Sequence, residues 1–90
     1  MVEEVGIDKK EVYGRIRAMS NGLRFKILEL TQEKQLSVTE LSSILKLAYT
    51  KCSDYLGILE NNGLIIKTKE GKNVRISSKV KISKNKIEFS

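Results

Sequence analysis

The side chains best equipped for chemistry in this 90-residue chain are cations, and they crowd into its last third. Lys67, Lys69, Lys72, Arg75, Lys79, Lys81, Lys84 and Lys86 stand there against Glu70 and Glu88 alone, so residues 64–90 carry eight minus two, or +6. Residues 1–63 hold nine cations and nine acids and sum to zero, which puts the whole net charge in this one segment. Ammonium and guanidinium groups at that density suit the neutralisation of a polyanion. Against a nucleic-acid backbone each contact releases condensed counterions, and the release drives affinity that does not depend on sequence.

Other chemistries are poorly supplied. There is no histidine and a single cysteine, Cys52, so ordinary zinc sites, nucleophile triads and most general-base arrangements are not expected. Gly6, Gly14, Gly22, Gly57, Gly63 and Gly71 form neither a phosphate loop nor a dinucleotide fingerprint. The expectation is a protein that is not an enzyme, with no metal, no cofactor and no evident small-molecule effector. No apolar run approaches the ~18 residues of a membrane span, and Met1-Val2-Glu3-Glu4 lacks the basic start of a signal peptide. A cytoplasmic, nucleoid-associated protein is expected. Thirteen Lys and nine Glu against two Gln lean toward a heat-adapted source.

The cations need a frame. Asp8-Lys9-Lys10-Glu11 has the form of a capping box, and Val12, Ile16 and Met19 recur behind it as the apolar stripe of a first helix. That stripe could pack onto the domain or meet a second copy of the chain. Ser20-Asn21-Gly22 breaks the pattern and offers a cap to a second helix, which Leu23, Phe25, Ile27, Leu28 and Leu30 carry to about Thr31. Gln32–Gln35 reads as a polar loop, and Leu36 as a strand residue able to pair with the basic segment. Ser37-Val38-Thr39-Glu40 is the clearer capping box, with Val38, Leu41, Ile44 and Leu45 as the core face of the helix it starts. After a tight turn at Lys46-Leu47 the next helix runs from about Tyr49 to Asn62, and Gly63 suits the left-handed position that ends it. Leu64–Lys69 and Asn73–Ser77 read as strands around Glu70-Gly71-Lys72, a turn with the glycine that tight hairpins use. Alternation through Val74, Ile76, Val80 and Ile82 carries the second strand toward Ser83, and Lys84-Asn85 turns into a last strand, Lys86–Phe89.

On a helical wheel at about 100° per residue, Cys52, Leu56 and Leu59 face the core, flanked by Ala48 and Tyr55. The other side carries Thr50, Ser53, Asp54, Gly57 and Asn61, with Lys51 at its edge. Short hydrogen-bonding groups on such a face suit base edges and phosphates in a major groove. The plain alternative is a solvated polar face; the capped helix before it and the basic hairpin after it favour the groove.

In that order, Asn21–Leu30 (NGLRFKILEL), Leu36–Leu47 (LSVTELSSILKL), Tyr55–Ile65 (YLGILENNGLI) and the tip Lys69–Ile76 (KEGKNVRI) resemble the ArsR-type winged helix-turn-helix. Tyr49–Ile66 is also similar to small archaeal winged-helix chromosomal proteins. The resemblance covers about residues 16–77 and rests on the order of elements. It implies an α+β fold, a winged helix-turn-helix of three helices plus a C-terminal antiparallel β-hairpin wing. One domain is expected over residues 1–90, with the helix-turn-helix at about 37–62 and the wing at about 64–77. It also implies double-stranded DNA as the partner, read by Tyr49, Thr50, Lys51, Ser53 and Asp54 and held by the wing residues Lys69, Lys72, Asn73 and Arg75. Tyr49 lies near the core edge of the wheel, suited to packing or to a phosphate. Three departures stand out: Asp54 would repel phosphate unless it accepts from a cytosine amino group, Gly57 weakens the helix, and Ala48 replaces the family's usual Ser cap. The family's metal sensors use Cys and His clusters that this chain lacks. Cys52 is expected to be a buried core thiol, with an intersubunit disulfide as the other possibility.

The reading is a DNA-binding protein, a small transcriptional regulator or a chromosomal protein, assembled as a homodimer. The alternative from another class is a winged-helix protein–protein interaction module whose basic hairpin grips an acidic partner.

Overall fold

The computed structural model describes residues 9–84 and 86–89; the Asp8 half of the first capping box and the turn residue Asn85 lie outside them. Four helices and five strands follow in the order α1 (Lys9–Met19), α2 (Gly22–Glu33), β1 (Leu36–Ser37), α3 (Val38–Leu45), α4 (Tyr49–Asn61), β2 (Ile65–Glu70), β3 (Asn73–Ser78), β4 (Val80–Ile82) and β5 (Ile87–Phe89).

The fold therefore has four helices, not three, because α1 is built into the body. Its inner face is formed by the small residues one turn apart, Gly14 and Ala18, and of the two readings of the apolar stripe, packing onto the domain does not hold for Val12 and Ile16. Ala18 is buried, and a Cβ placed on Gly14 would stand 2.6 Å from Asn62 Oδ1, so the helix crosses the end of α4 at closest approach there. Arg24 ties the joint. Its Nε donates to the Ala18 carbonyl at 2.6 Å, satisfying the end of α1, and its guanidinium lies over the Tyr55 ring at 5.4 Å. Of the predicted stripe only Met19 packs on the core; Val12 and Ile16 are exposed.

Helix boundaries follow local hydrogen bonding. Asn21 caps α2, its Oδ1 accepting from the Leu23 and Arg24 amides at 2.9 and 3.1 Å. That helix runs past Thr31 to Glu33, since nothing in Gln32–Glu33 breaks it. Gln32 is then held by its side chain, which accepts from the Ile82 amide at 2.7 Å and donates to the Ile82 carbonyl at 2.9 Å. The Ser37 capping box is complete: Ser37 Oγ accepts from the Glu40 amide at 3.1 Å, and Glu40 Oε1 accepts from the Ser37 amide at 2.9 Å. Helix α3 ends with Lys46 in the left-handed region (φ 57°), and the Leu47 amide reaches back to the Ser42 carbonyl at 2.9 Å. Helix α4 ends the same way on Gly63 (φ 70°), with the Leu64 amide on the Leu59 carbonyl at 2.9 Å.

The wing is a three-stranded antiparallel sheet in the order β1-β3-β2, with Leu36 opposite Ile76 and Glu70 opposite Asn73 across the two-residue turn. Gly71 takes φ 60° at the first turn position, as a tight hairpin of this twist requires. The long second strand expected through Ser83 is broken: Ser78 Oγ accepts from the Val80 amide and donates to its carbonyl, which bends the chain at Lys79. Val80–Ile82 then pairs with Ile87–Phe89 as a separate hairpin.

The core gathers Ile27, Leu28, Leu41, Leu56, Leu59, Leu64, Ile76 and Val80, all essentially without exposure, so α2, α3, α4, β3 and β4 meet there. Ile44 departs from expectation, at 51% exposed. An eight-residue helix presents a narrow inner stripe, and Leu41, with the half-buried Val38 and Leu45, already fills it.

Candidate nucleic-acid interface

Helix α4 is oriented by its apolar ridge. Cys52, Leu56 and Leu59 are buried, so the opposite ridges must face out. Cys52 belongs to the core, with its Sγ 3.9 Å from the Val38 carbonyl, and burial pushes its thiol pKa up. Thr50, Lys51, Ser53 and Asp54 are all exposed, and so is Tyr49, at 57%. Ala48 provides no side-chain cap, as its lack of a hydroxyl dictates.

The geometry divides the expected site residues into two groups. Tyr49, Ser53, Lys72 and Asn73 line one cleft of about 410 Å³ between α4, the start of α3 and the wing, with Leu56 and Val74 on its floor. Ser37, Thr39 and Lys67 complete the polar lining. Thr50, Lys51 and Asp54 lie outside it on the outward side of α4, where Lys51 Nζ rests 5.0 Å from the Tyr55 ring centre. Sequence reasoning did not single out Lys67, Ser37 or Thr39 as site residues. Lys67 was within reach, because strand alternation puts it on the same face as Lys69, opposite Ile76 and Val74.

Charge pairing divides the wing cations again. Lys67 Nζ lies 3.0 Å from Glu60 Oε1. Arg75 sits on the other face of the sheet, opposite Thr68 and Ser37, rather than at the tip. It is held by Glu40 at 3.4 Å and Glu70 at 3.8 Å. The Glu40 carboxyl is kept below the usual carboxylate range by the Ser37 amide and hydroxyl, and further by the Arg75 charge. Lys69 and Lys72 make no ion pair among the described residues. The cleft lining thus offers four hydroxyl groups, an amide and two ammonium groups, and no carboxylate. Such a lining can coordinate phosphate and accept or donate to polar edges.

Gly57 is the one irregularity of α4 without an internal reason, since a Cβ there would meet nothing within 4 Å. Gly57→Ala is expected to raise stability by up to about 1 kcal/mol through helix propensity alone, measured by thermal or urea unfolding. A loss of stability would mean that the backbone at this turn is not a regular helix.

Residues 21–85 match the family model described as winged helix-turn-helix. The transcriptional activator HlyU of Vibrio cholerae is 39% identical over 59 residues, which make up 66% of this chain and 55% of that protein. The chain thus spans about half the length of this curated relative. A solved structure of HlyU from Vibrio cholerae superposes with a TM-score of 0.73 at 32% identity, covering 80% of each chain. A homodimeric winged helix-turn-helix DNA-binding domain from Mycobacterium bovis, described as a possible ArsR-family regulator, shares the fold with a TM-score of 0.74 at 22% identity, covering 83% of this chain and 75% of its own. These relatives are bacterial, and an archaeal kinship is not supported by them. With four helices, a paired wing and a capped α3–α4 turn in the matching order, the chain belongs to the winged helix-turn-helix family.

Proposed function

We propose that this protein binds double-stranded DNA as a small transcriptional regulator of the ArsR type. Helix α4 enters the major groove, and the wing lies along the neighbouring backbone. The observation that carries this reading is the cleft. It joins the polar face of α4 to the cationic face of the wing with no acid in its lining. The curated relative HlyU is named as a transcriptional activator. Thr50, Lys51 and Asp54, outward of the cleft, are the candidates for base edges, while Tyr49, Ser53, Lys72 and Asn73 meet the backbone beside it. Lys69 continues the cationic face, and Arg75 acts by bracing the wing against α3. The protein works as a homodimer in the cytoplasm, at the nucleoid.

Titrating duplex DNA with the protein at two salt concentrations tests the reading. Binding that weakens steeply with salt supports it. Absence of duplex binding at moderate salt would instead favour the protein-interaction module. Within the DNA reading, Thr50→Ala and Ser53→Ala should leave stability within about 0.5 kcal/mol, as for exposed sites. Thr50→Ala should lower discrimination between a preferred site and random duplex more than Ser53→Ala does. Equal discrimination in both variants and the parent would remove Thr50 from base readout.

A further inference from the structure

We propose that Lys67 is a phosphate ligand of the cleft, and that Glu60, which does not itself line the cleft, holds the Lys67 ammonium in the free protein. The proposal rests on the duplex-DNA reading and adds an exchange step to it. Lys67 lines the cleft beside Tyr49, Ser53, Lys72 and Asn73, yet its ammonium is already 3.0 Å from Glu60 Oε1. Glu60 belongs to the ridge of α4 that also carries Ser53 and Leu56, so it approaches Lys67 from the helix that must face the DNA.

The two paired cations of the wing differ in how firmly they are held. Exposure does not separate them, since the side chains are 32% and 46% exposed in Lys67–Glu60 and 38% and 49% in Arg75–Glu40, and pairs that solvent reaches are weak and exchange readily; the number and anchoring of the partners do. Arg75 has two carboxylate partners. One of them, Glu40, is fixed by the Ser37 amide in the capping box. Releasing Arg75 would disturb the start of α3; releasing Lys67 disturbs only one exposed pair. Lys67 is therefore the cation that changes partner, and Arg75 stays as a brace.

The exchange has a thermodynamic signature. When Lys67 moves to a DNA phosphate, a counterion leaves the DNA, but the freed Glu60 carboxylate stays beside the polyanion and keeps part of its cation atmosphere in place. The net release from that contact is reduced. In Glu60→Gln no carboxylate is left to keep it there, so the slope of log affinity against log salt should steepen by up to about 0.9. Between about 50 and 200 mM salt the variant should then lose up to roughly 3.5-fold more affinity than the parent, and it should bind more tightly at the low-salt end.

The test is a salt-titrated anisotropy measurement on a fluorescent duplex with the parent, Glu60→Gln, Lys67→Ala, the double variant and Glu33→Gln. Glu33 is an exposed acid at the end of α2 beside Ile82, outside the cleft, and its variant removes the same charge. The expected result is a steeper slope in Glu60→Gln, a smaller change in Glu33→Gln, and no gain from Glu60→Gln once Lys67 is Ala. Circular dichroism should be unchanged throughout. A Glu60→Gln slope equal to that of the parent or of Glu33→Gln, or a gain that persists without Lys67, would overturn the exchange. A parent protein with no salt-dependent duplex binding would overturn the functional reading itself.

Discussion

Replacing Lys69 and Lys72 together with Ala should flatten the dependence of DNA affinity on salt by about 1.8 in log–log slope, ~0.9 for each phosphate contact removed. Between about 50 and 200 mM salt this is roughly a twelvefold change in how much affinity is lost. The two lysines are chosen because neither makes an ion pair among the described residues, so each is available to a polyanion without breaking a contact. Counting charges along the sequence puts Arg75 in the same class. Its pairing with Glu40 and Glu70 takes it out, and Arg75→Ala should act on the wing's placement and on stability more than on the slope. Titration of a fluorescent duplex at several salt concentrations measures both effects. A Lys69/Lys72 variant with the parent's slope and affinity would remove the wing from DNA binding.

Ile16→Glu should convert a dimer to a monomer and lower affinity for a duplex carrying two half-sites by about 100-fold or more, the loss of linkage between two recognition helices. The apolar surfaces concerned lie on two distant parts of the chain. Val12, Tyr13 and Ile16 are exposed on α1, Ile87 and Phe89 are exposed on β5, and the Arg15 guanidinium lies 5.6 Å from the Phe89 ring centre. Val12, Tyr13 and Ile16 line one apolar patch that a second copy would cover, with Ile87 and Phe89 as the other candidate surface, and a two-fold pair would set its recognition helices about 34 Å apart along the duplex. The point substitution is a cleaner probe than removal of residues 1–18, which would also take the buried Ala18 and the Gly14 crossing. Light scattering and titration of one- and two-half-site duplexes give the result. A variant that remains a dimer would move the interface elsewhere, and a parent protein that is monomeric at high micromolar concentration would end the dimer proposal.

Most of the helix-turn-helix was legible because its signals are local. Asn21, the Ser37–Glu40 box, Gly63 and Gly71 act through hydrogen bonds or φ angles within a few residues of themselves, and each does in the structure what its type suggests. The apolar ridge of α4 was equally clear, since a thirteen-residue helix repeats its period often enough to fix the phase. Failures came where a distant partner decides. Periodicity left the Val12–Ile16 stripe open between packing onto the domain and meeting a second copy, and the helix docks through Gly14 and Ala18, which carry almost no hydrophobic signal. The break at Ser78 depends on a side chain turning onto its own backbone, which strand alternation does not register. In the candidate site the residue types were readable but their pairing was not. Eight cations look alike in a sequence, and only the folded chain separates the braced Arg75 and the paired Lys67 from Lys69 and Lys72.

The central claim, that duplex DNA is held between α4 and the wing, is tested most directly by following the backbone amide resonances of labelled protein while a short duplex is added. The account predicts that the largest shifts fall on residues 37–39, 49–57 and 67–73, with small changes at 87–89. Shifts concentrated on α1 and β5, or no shifts at a salt concentration where a basic winged helix should bind, would contradict it.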